Sequence, residues 1–262
     1  VAVVMGPPGT GKSKQACCVG KCMIEDKSRP RRNLRLGWLT WTNAANVNQL
    51  HAALKAGIDP KTCIYVAEEL PPGIENVKCL SLSPKNYVEW GEILRSERVL
   101  NVFCGIGKTM KSLNGYSSVL KLWVKLFDIA FLDEAGQILE GFGLHLAAYA
   151  RQILLLGDTA QLPAFTFLPD EHRTLMRATM TTVNPVSLIR QYRQINGLST
   201  FCSCLSYAGR VQDGEEKEAD ALQIILVLWD CPTTDAELPK SPAPISAALV
   251  TELWQQGSYS SE

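Results

Sequence analysis

The sequence predicts an α/β fold whose core is a doubly wound, mainly parallel sheet with flanking helices. Short apolar runs of β type recur along the 262 residues, and segments long enough for crossover helices separate them. The first run, 1–5, leads into a glycine-rich loop over 6–13, and helix-compatible sequence follows. Ligands of such sheets bind beyond the carboxyl ends of the strands, so the residues after each run are the candidates for chemistry.

The remaining elements follow in chain order. Residues 14–25 are helix-compatible, and the charged, proline-containing stretch 26–33 is typical of a turn into the next strand. Residues 68–96 combine Pro-Pro-Gly and Ser-Pro with mixed charge, which predicts a small insertion that leaves the sheet. Later, 222–229 predicts a further strand and 245–255 a short helix. The other predicted strands are 34–40, 63–67, 99–104, 127–132, 152–156 and 186–189.

A glycine-rich loop follows the first predicted strand. Glycines allow successive backbone N–H groups to turn toward one anion, and the following helix adds the positive end of its dipole. Lys12 then brings a full charge to the β and γ phosphates, and the Ser13 hydroxyl is a ligand for Mg²⁺. The loop therefore predicts binding of ATP or GTP, whereas a surface turn rich in Gly and Pro is the alternative. Its residues are Gly6, Pro7, Pro8, Gly9, Thr10, Gly11, Lys12 and Ser13.

Two adjacent carboxylates follow the predicted strand 127–132. Asp133 is suited to the magnesium shell that Ser13 enters, while Glu134 is suited to orient and deprotonate the attacking water. The alternative is a helix N-terminus, because acidic residues are common in first turns. The presence of the phosphate loop in the same chain favours the catalytic interpretation.

Polar residues also follow the next two predicted strands. Gln161 comes after strand 152–156, at a position where its amide can sense the γ-phosphate. A plain turn explains the segment equally well, because it contains Gly157-Asp158 and then Pro163. Strand 186–189 leads into Arg-Gln-Tyr-Arg, which ends with Tyr192 and Arg193. An arginine near the γ-phosphate stabilises the charge of phosphoryl transfer, and a tyrosine ring offers a stacking face for a base. Each of these motifs is weak evidence alone.

Taken in order, the motifs resemble those of superfamily 1 helicases, specifically the group that contains the nonsense-mediated-decay helicase and senataxin. The resemblance covers residues 1 to about 210. It implies a RecA-like ATP-binding domain over 1–190 and an incomplete second RecA-like domain that begins over 191–262. It also implies ATP as the nucleotide, Mg²⁺ as its cation and single-stranded RNA or DNA as the partner. The matching segments are 6–13, 42–44, 133–137, 157–163 and 191–193.

The same resemblance gives individual residues their roles. Lys12, Glu134, Gln161 and Arg193 form the implied catalytic set. Within it, Gln161 couples the nucleotide state to strand binding, and Arg193 contacts the γ-phosphate. Tyr192 is implied to stack on the base.

The segment after strand 34–40 is implied to lie on the nucleic-acid path. The hydroxyl of Thr42 and the amide of Asn43 bind phosphate or base without reading sequence. The pair is also typical of a helix N-cap, and both interpretations can hold together. Lys108, just past strand 99–104, is on the same predicted edge and adds a phosphate contact, unless it is simply a solvated lysine.

The composition bears on core size, nucleic-acid binding and cellular compartment. Hydrophobic residues make up 46% of the chain, enough for a packed core, and the 26 basic and 26 acidic side chains cancel. Bulk charge therefore gives no support for nucleic-acid binding, which must come from local patches. The nine cysteines lack paired C-x-x-C spacing, which favours reduced thiols in an intracellular protein over a zinc site. Neither nucleus nor cytoplasm is indicated.

The two ends of the sequence carry a separate expectation. Val1 is not an initiator methionine and lies inside the first predicted strand, and 194–262 is too short for a second domain of the usual size. We therefore expect a piece of a longer protein. Because motor action requires two domains that close on ATP, we expect the isolated chain to bind nucleotide, hydrolyse it slowly and unwind nothing.

Two other functions are alternatives to the helicase core. One is a degenerate helicase-like scaffold that binds nucleotide or partners without catalysis. The other is a P-loop ATPase that remodels protein complexes. The joint presence of the loop lysine, the paired acids, Gln161 and Arg193 argues against the scaffold, and the segments 42–43 and 191–193 argue against the remodelling ATPase.

Overall fold

The computed structural model describes residues 1–26, 34–81, 92–93, 100–105, 126–141, 143, 149–161, 174–194 and 198–214. These residues belong to one compact unit. The strands are β1 (Ala2–Met5), β2 (Arg35–Thr40), β3 (Cys63–Tyr65), β4 (Lys78–Cys79), β5 (Leu100–Gly105), β6 (Phe127–Asp133), β7 (Ala150–Gly157), β8 (Val186–Ser187), β9 (Arg190–Gln191) and β10 (Gln212–Asp213). The helices are α1 (Lys12–Glu25), α2 (Asn43–Lys55), α3 (Leu175–Met180) and α4 (Leu198–Tyr207), with 3-10 turns at Pro60–Thr62 and Ala135–Gln137.

Eight strands form one sheet in the order β4-β3-β5-β2-β6-β7-β1-β8. Every neighbouring pair in it is parallel. Parallel neighbours require crossover connections, and α1 and α2 supply two of them directly after β1 and β2. The predicted α/β fold with a parallel sheet is confirmed, and its architecture is that of a RecA-like P-loop NTPase. Strands β9 and β10 form a separate parallel pair.

The sheet is covered on both faces, as a doubly wound fold requires. Along β2, Trp38 belongs to the core that α1 and α2 help to form, whereas its neighbour Leu39 belongs to the opposite core, which includes Met176 of α3. All three side chains are buried. Successive side chains of a strand point to opposite faces, so strands covered on both sides have continuous apolar sequence. This explains why the central strands are apolar runs without alternation.

Three aromatic rings stack across the central strands. Trp38 lies between its register partners Phe103 of β5 and Phe131 of β6, with ring centroids 5.6 and 4.2 Å away and angles of 6° and 7° between the planes. The indole Nε1 donates to Asn101 Oδ1 at 3.1 Å. Helix α1 approaches this stack at Gly20, where a Cβ would lie 2.7 Å from the indole ring. Ring packing therefore sets the distance between α1 and the sheet.

Trp38→Ala is expected to lower the free energy of unfolding by about 3–5 kcal/mol, because it empties the centre of a packed aromatic stack. Urea denaturation followed by circular dichroism measures this value. Trp41→Ala is the matched control, since Trp41 is 36% exposed and lies three residues further along the chain. Its expected loss is below about 1 kcal/mol. Equal losses in the two variants would contradict this account of the core.

The strand predicted over 186–189 is shorter in the structure. It ends at Ser187, which pairs with Met5 at the end of β1. The phosphate loop begins at the next residue, so β1 offers no further strand partner. The chain then leaves the sheet, and Arg190–Gln191 pairs with β10 instead.

The described part of 68–96 does not leave the sheet, in contrast to the prediction from its turn residues. Lys78–Cys79 adds an edge strand beside β3. Ile74, Val77 and Leu80 are buried, so this stretch contributes to the core. Ile74 and Val77 belong to the core that contains Trp38, whereas Leu80 belongs to the opposite core. The polar and turn-forming residues between them hide this burial in the sequence.

Several predictions fall outside the described residues. They are the strand 222–229, the helix 245–255, Lys108 and most of the second RecA-like domain. The division of the chain at residues 190 and 191 therefore stays a prediction. Within the part that the structure describes, no helix is long and apolar enough to cross a membrane.

Candidate nucleotide-binding site

The phosphate loop connects β1 to α1 at the carboxyl edge of the sheet. The N–H of Gly6 donates to the carbonyl of the last residue of β7 at 3.1 Å, which anchors the start of the loop. Within the loop, the N–H and Oγ1 of Thr10 both donate to Pro7 O, at 3.3 and 2.8 Å. Gly9 and Gly11 have φ angles of 79° and 82°, in the region that glycine adopts most easily. The loop is thus tightly curled ahead of a helix N-terminus, as in phosphate-binding loops.

The ammonium group of Lys12 lies inside this curl. Lys12 is the first residue of α1 and is buried, with 9% of its surface exposed. Its Nζ donates to Gly6 O at 2.7 Å and to Pro7 O at 3.4 Å. Neutral carbonyls are weaker partners for an ammonium group than phosphate oxygens are. The lysine is therefore positioned to exchange its carbonyl partners for a phosphate.

Ser13 and Asp133 meet although 120 residues separate them in the chain. The Ser13 hydroxyl donates to Asp133 Oδ2 at 2.6 Å, and Asp133, at the end of β6, is 5% exposed. Mg²⁺ takes oxygen ligands, usually one or two from protein and the rest from phosphates and water. A hydroxyl and a carboxylate at this spacing fit that ligand set. Among the described residues, no cluster of three or more His, Cys, Asp or Glu offers a protein-only metal cage.

Glu134 occupies an unusual backbone conformation beside this pair. Its φ and ψ are 56° and 38°, in the left-handed region that non-glycine residues rarely adopt and that recurs at functional sites. Its N–H donates to Asp133 Oδ1 at 3.0 Å. Burial, followed by the charge of Asp133, raises the pKa of the Glu134 carboxyl, while Lys12 and Arg193 act in the opposite direction. A raised pKa suits a carboxylate that accepts a proton near neutral pH.

Gln161 is held beside the phosphate loop by a buried acid. Asp158, which follows β7 and is 4% exposed, accepts a hydrogen bond from Gln161 Nε2 at 2.9 Å. Gln161 also lines a cavity of about 250 Å³, together with Pro7 and Pro8 of the phosphate loop. The structure therefore brings the predicted sensing residue close to the loop, and its role stays a prediction.

The segment that carries Tyr192 and Arg193 packs directly on the phosphate loop. The N–H of Tyr192 donates to Gly9 O at 2.9 Å. A Cβ on Gly9 would lie 2.5 Å from the Cβ of Arg193. The Tyr192 ring covers Gly214, where a Cβ would lie 2.3 Å from the ring, yet the residue is 54% exposed. One side of the ring is thus supported and surface remains for a base.

Gln191 is a structural residue of this site to which the sequence gives no role. It is 2% exposed, and its Oε1 accepts from the N–H groups of Arg193 and Gln194, at 2.9 and 2.7 Å. Its Nε2 donates to Gln194 O at 3.0 Å and to Asp213. The amide therefore shapes the turn that presents Arg193. No sequence signal beyond the motif itself indicates that this glutamine is buried.

Gly9→Ala is expected to destabilise the protein more than Gly73→Ala. Both glycines have a φ of 79°, but a Cβ at Gly73 meets nothing within 4 Å. The left-handed conformation alone costs about 1–2 kcal/mol, and the collision with Arg193 adds about 1–3 kcal/mol at Gly9. Urea denaturation measures both losses, and titration calorimetry is expected to show weaker ATP binding for Gly9→Ala alone. Equal stability with unchanged ATP affinity would contradict the packing role.

Thr42 and Asn43 lie at the same edge of the sheet as the paired acids. Thr40, two residues earlier, is the register partner of Asp133. Thr42 caps α2 by accepting the N–H of Ala45 on its Oγ1 at 3.2 Å, so the N-cap interpretation is confirmed. Both residues are exposed and a strand can reach them, but their nucleic-acid contact stays a prediction.

The chain is similar in sequence to known helicases. No family model matches it. It is 25% identical over 232 residues to the DNA replication ATP-dependent helicase/nuclease DNA2 of Homo sapiens, and 25% identical over 230 residues to the protein of that name from Gallus gallus. These matches cover 84% of this chain, which spans about a fifth of the length of either relative. The similarity supports the relation to superfamily 1 helicases.

Two solved structures match part of this chain. A nuclease-deletion mutant of the Type ISP restriction-modification enzyme LlaGI, in complex with a DNA substrate mimic, has a TM-score of 0.48 at 15% identity and covers 65% of this chain. The Arterivirus nonstructural protein 10 helicase with DNA has a TM-score of 0.46 at 14% identity and covers 80%. This chain covers 17% and 41% of those two chains. The fold itself is established by the strand order given above.

Proposed function

We propose that the chain is part of the ATP-hydrolysing core of a superfamily 1 helicase or translocase, which couples ATP hydrolysis to movement on single-stranded RNA or DNA. One observation carries the proposal: Ser13 Oγ and Asp133 Oδ2 lie 2.6 Å apart. Lys12 adjoins the first in sequence and Glu134 adjoins the second. If the loop were only a surface turn and the acids only the start of a helix, the fold would have no need to bring the two together.

Each group of the chain has a task in this proposal. The loop N–H groups and Lys12 bind the phosphates of ATP. Ser13 and Asp133 would hold Mg²⁺, which would neutralise the charge of the phosphates. Glu134 orients the attacking water and accepts its proton, and Arg193 stabilises the charge on the γ-phosphate.

The proposed track is a single strand that runs along the carboxyl edge of the sheet. One support is that Thr42 and Asn43 are exposed at the edge of the sheet where the acids also lie. The other is the name of the relatives, which are DNA replication helicase/nucleases. We further propose membership of the group that contains the nonsense-mediated-decay helicase and senataxin, on the motifs at 157–163 and 191–193. The reduced thiols of the described cysteines agree with the proposed action inside the cell.

The experiment that tests the proposal is single-turnover ATP hydrolysis with the chain in excess over labelled ATP. It is run with no nucleic acid, with poly(U) and with single-stranded DNA. The proposal predicts Mg²⁺-dependent phosphate release that at least one of the two strands accelerates. ATP binding with no phosphate release in any of the three conditions would contradict it and would favour a nucleotide-binding scaffold.

A further inference from the structure

Asp158 is a buried carboxylate that accepts three hydrogen bonds. The N–H of Ala160 donates to its Oδ1 at 2.9 Å, whereas Gln161 Nε2 and the hydroxyl of Tyr207 donate to its Oδ2, at 2.9 and 2.6 Å. Among the residues that the structure describes, no lysine or arginine forms an ion pair with it. A buried carboxylate needs compensation for its lost hydration, so these three donors together fix its position.

The backbone of Asp158 also packs against the turn that follows the paired acids. A Cβ on Gly136 would lie 2.5 Å from Asp158 O, and Gly136 is two residues past Glu134. The side chain of Asp158 accepts hydrogen bonds from Gln161 and Tyr207. Asp158 therefore contacts both the turn that follows Glu134, the acid proposed to activate water, and the amide that is proposed to sense the γ-phosphate.

Tyr207 reaches Asp158 from the last residue of α4, where a rigid turn fixes its location. The next two residues, Ala208 and Gly209, have φ angles of 52° and 71°, which reverse the chain. The Ser203 hydroxyl donates to Val211 O at 3.1 Å and accepts the N–H of Val211 at 2.9 Å, which ties the returning chain to α4. Burial, and then the bond to Asp158, raise the pKa of Tyr207, so the hydroxyl remains a donor at neutral pH.

We propose that Tyr207 is a positioning residue for Gln161. Its hydroxyl holds the Asp158 carboxylate, and this carboxylate orients the Gln161 amide, because a carboxylate only accepts hydrogen bonds and must face Nε2. Oε1 of Gln161 is then directed away from Asp158, and Gln161 itself lines the cavity that Pro7, Pro8 and Tyr207 also line. Helix α4 is linked in this way to the loop that follows β7. The consequence for catalysis rests on the proposed function, since it requires that Gln161 senses the γ-phosphate.

Tyr207→Phe in the full chain tests the link, because it removes the hydroxyl and keeps the ring. Amide hydrogen exchange in the segment 158–161 is expected to become about tenfold faster, since the Asp158 that holds the Ala160 N–H loses one of its three donors. Tyr149→Phe is the matched control: it removes the hydroxyl of a partly buried tyrosine next to β7 at the opposite end of that strand. Unchanged exchange in 158–161 of Tyr207→Phe would overturn the proposal, whether or not the chain hydrolyses ATP.

The second measurement is the preference for an ATP analogue over ADP, obtained from the two dissociation constants. Tyr207→Phe is expected to reduce this preference about tenfold while the affinity for ADP stays unchanged. If Tyr207 had a merely structural role, the substitution would weaken the binding of both nucleotides or of neither. That result overturns the positioning role even if amide exchange in 158–161 becomes faster. A wild-type chain that shows no preference contradicts the sensing role of Gln161 in the proposed function, and the exchange result alone then decides the role of Tyr207.

Discussion

Replacing Lys12 with alanine is expected to weaken ATP binding by at least about 100-fold. The ammonium group lies within 2.7 Å of Gly6 O, at the centre of the loop where the phosphates are expected. A hydrogen bond to a charged partner contributes about 1.5–3 kcal/mol, so two such bonds to the β and γ phosphates correspond to this loss. Titration calorimetry with Mg²⁺ and ATP measures the affinity directly.

Lys14→Ala is the matched control for this experiment. Lys14 lies on the same helix two residues further on, and it is exposed. Its removal changes the net charge by the same amount without touching the loop, so ATP affinity is expected to change less than about twofold. An equal loss in both variants would mean that general charge attracts the nucleotide and that Lys12 has no specific contact with it.

Glu134→Gln is expected to leave ATP binding intact and to slow hydrolysis by about 10²–10⁴-fold. A general base contributes about this factor, and an amide of the same shape cannot take the proton of the attacking water. The substitution keeps the left-handed backbone at this position and its N–H bond to Asp133 Oδ1. Single-turnover phosphate release under saturating protein separates the chemical step from binding.

Glu75→Gln serves as the control for the acid. Glu75 is exposed on the stretch that precedes β4, away from the phosphate loop, so hydrolysis is expected to match the wild type. If Glu134→Gln hydrolyses ATP at the wild-type rate while it binds ATP normally, another group activates the water. The proposed role of Glu134 would then be wrong.

The parallel sheet could be predicted from the sequence because burial on both faces leaves a direct signal. The middle of β2 (36–39) and the middle of β6 (129–132) are apolar, and a polar residue follows each run directly. The phosphate loop is equally visible, since two of its glycines, Gly9 and Gly11, have φ angles that other residues adopt only at a cost. The contact between Ser13 and Asp133 follows from these two facts, because parallel strands end at one edge.

The residues that hold the site in shape could not be predicted in the same way. Gln191 acts through four hydrogen bonds whose partners are set by the fold of a turn. Tyr207 meets Asp158 across 49 residues, and nothing in the composition of α4 marks its last residue as different. The edge strand at 78–79 was hidden because turn residues surround it. Such contacts depend on tertiary packing, which local pattern does not encode.

The central claim is that Ser13 and Asp133 hold one cation against the phosphates bound by Lys12. The most direct measurement is a double-mutant cycle of ATP affinity, with and without Mg²⁺, for Ser13→Ala, Asp133→Asn and the double variant. The account predicts that each single variant loses most of the Mg²⁺-dependent part of the affinity and that the double variant loses little more. Losses that simply add, or that are the same without Mg²⁺, would contradict a shared cation site.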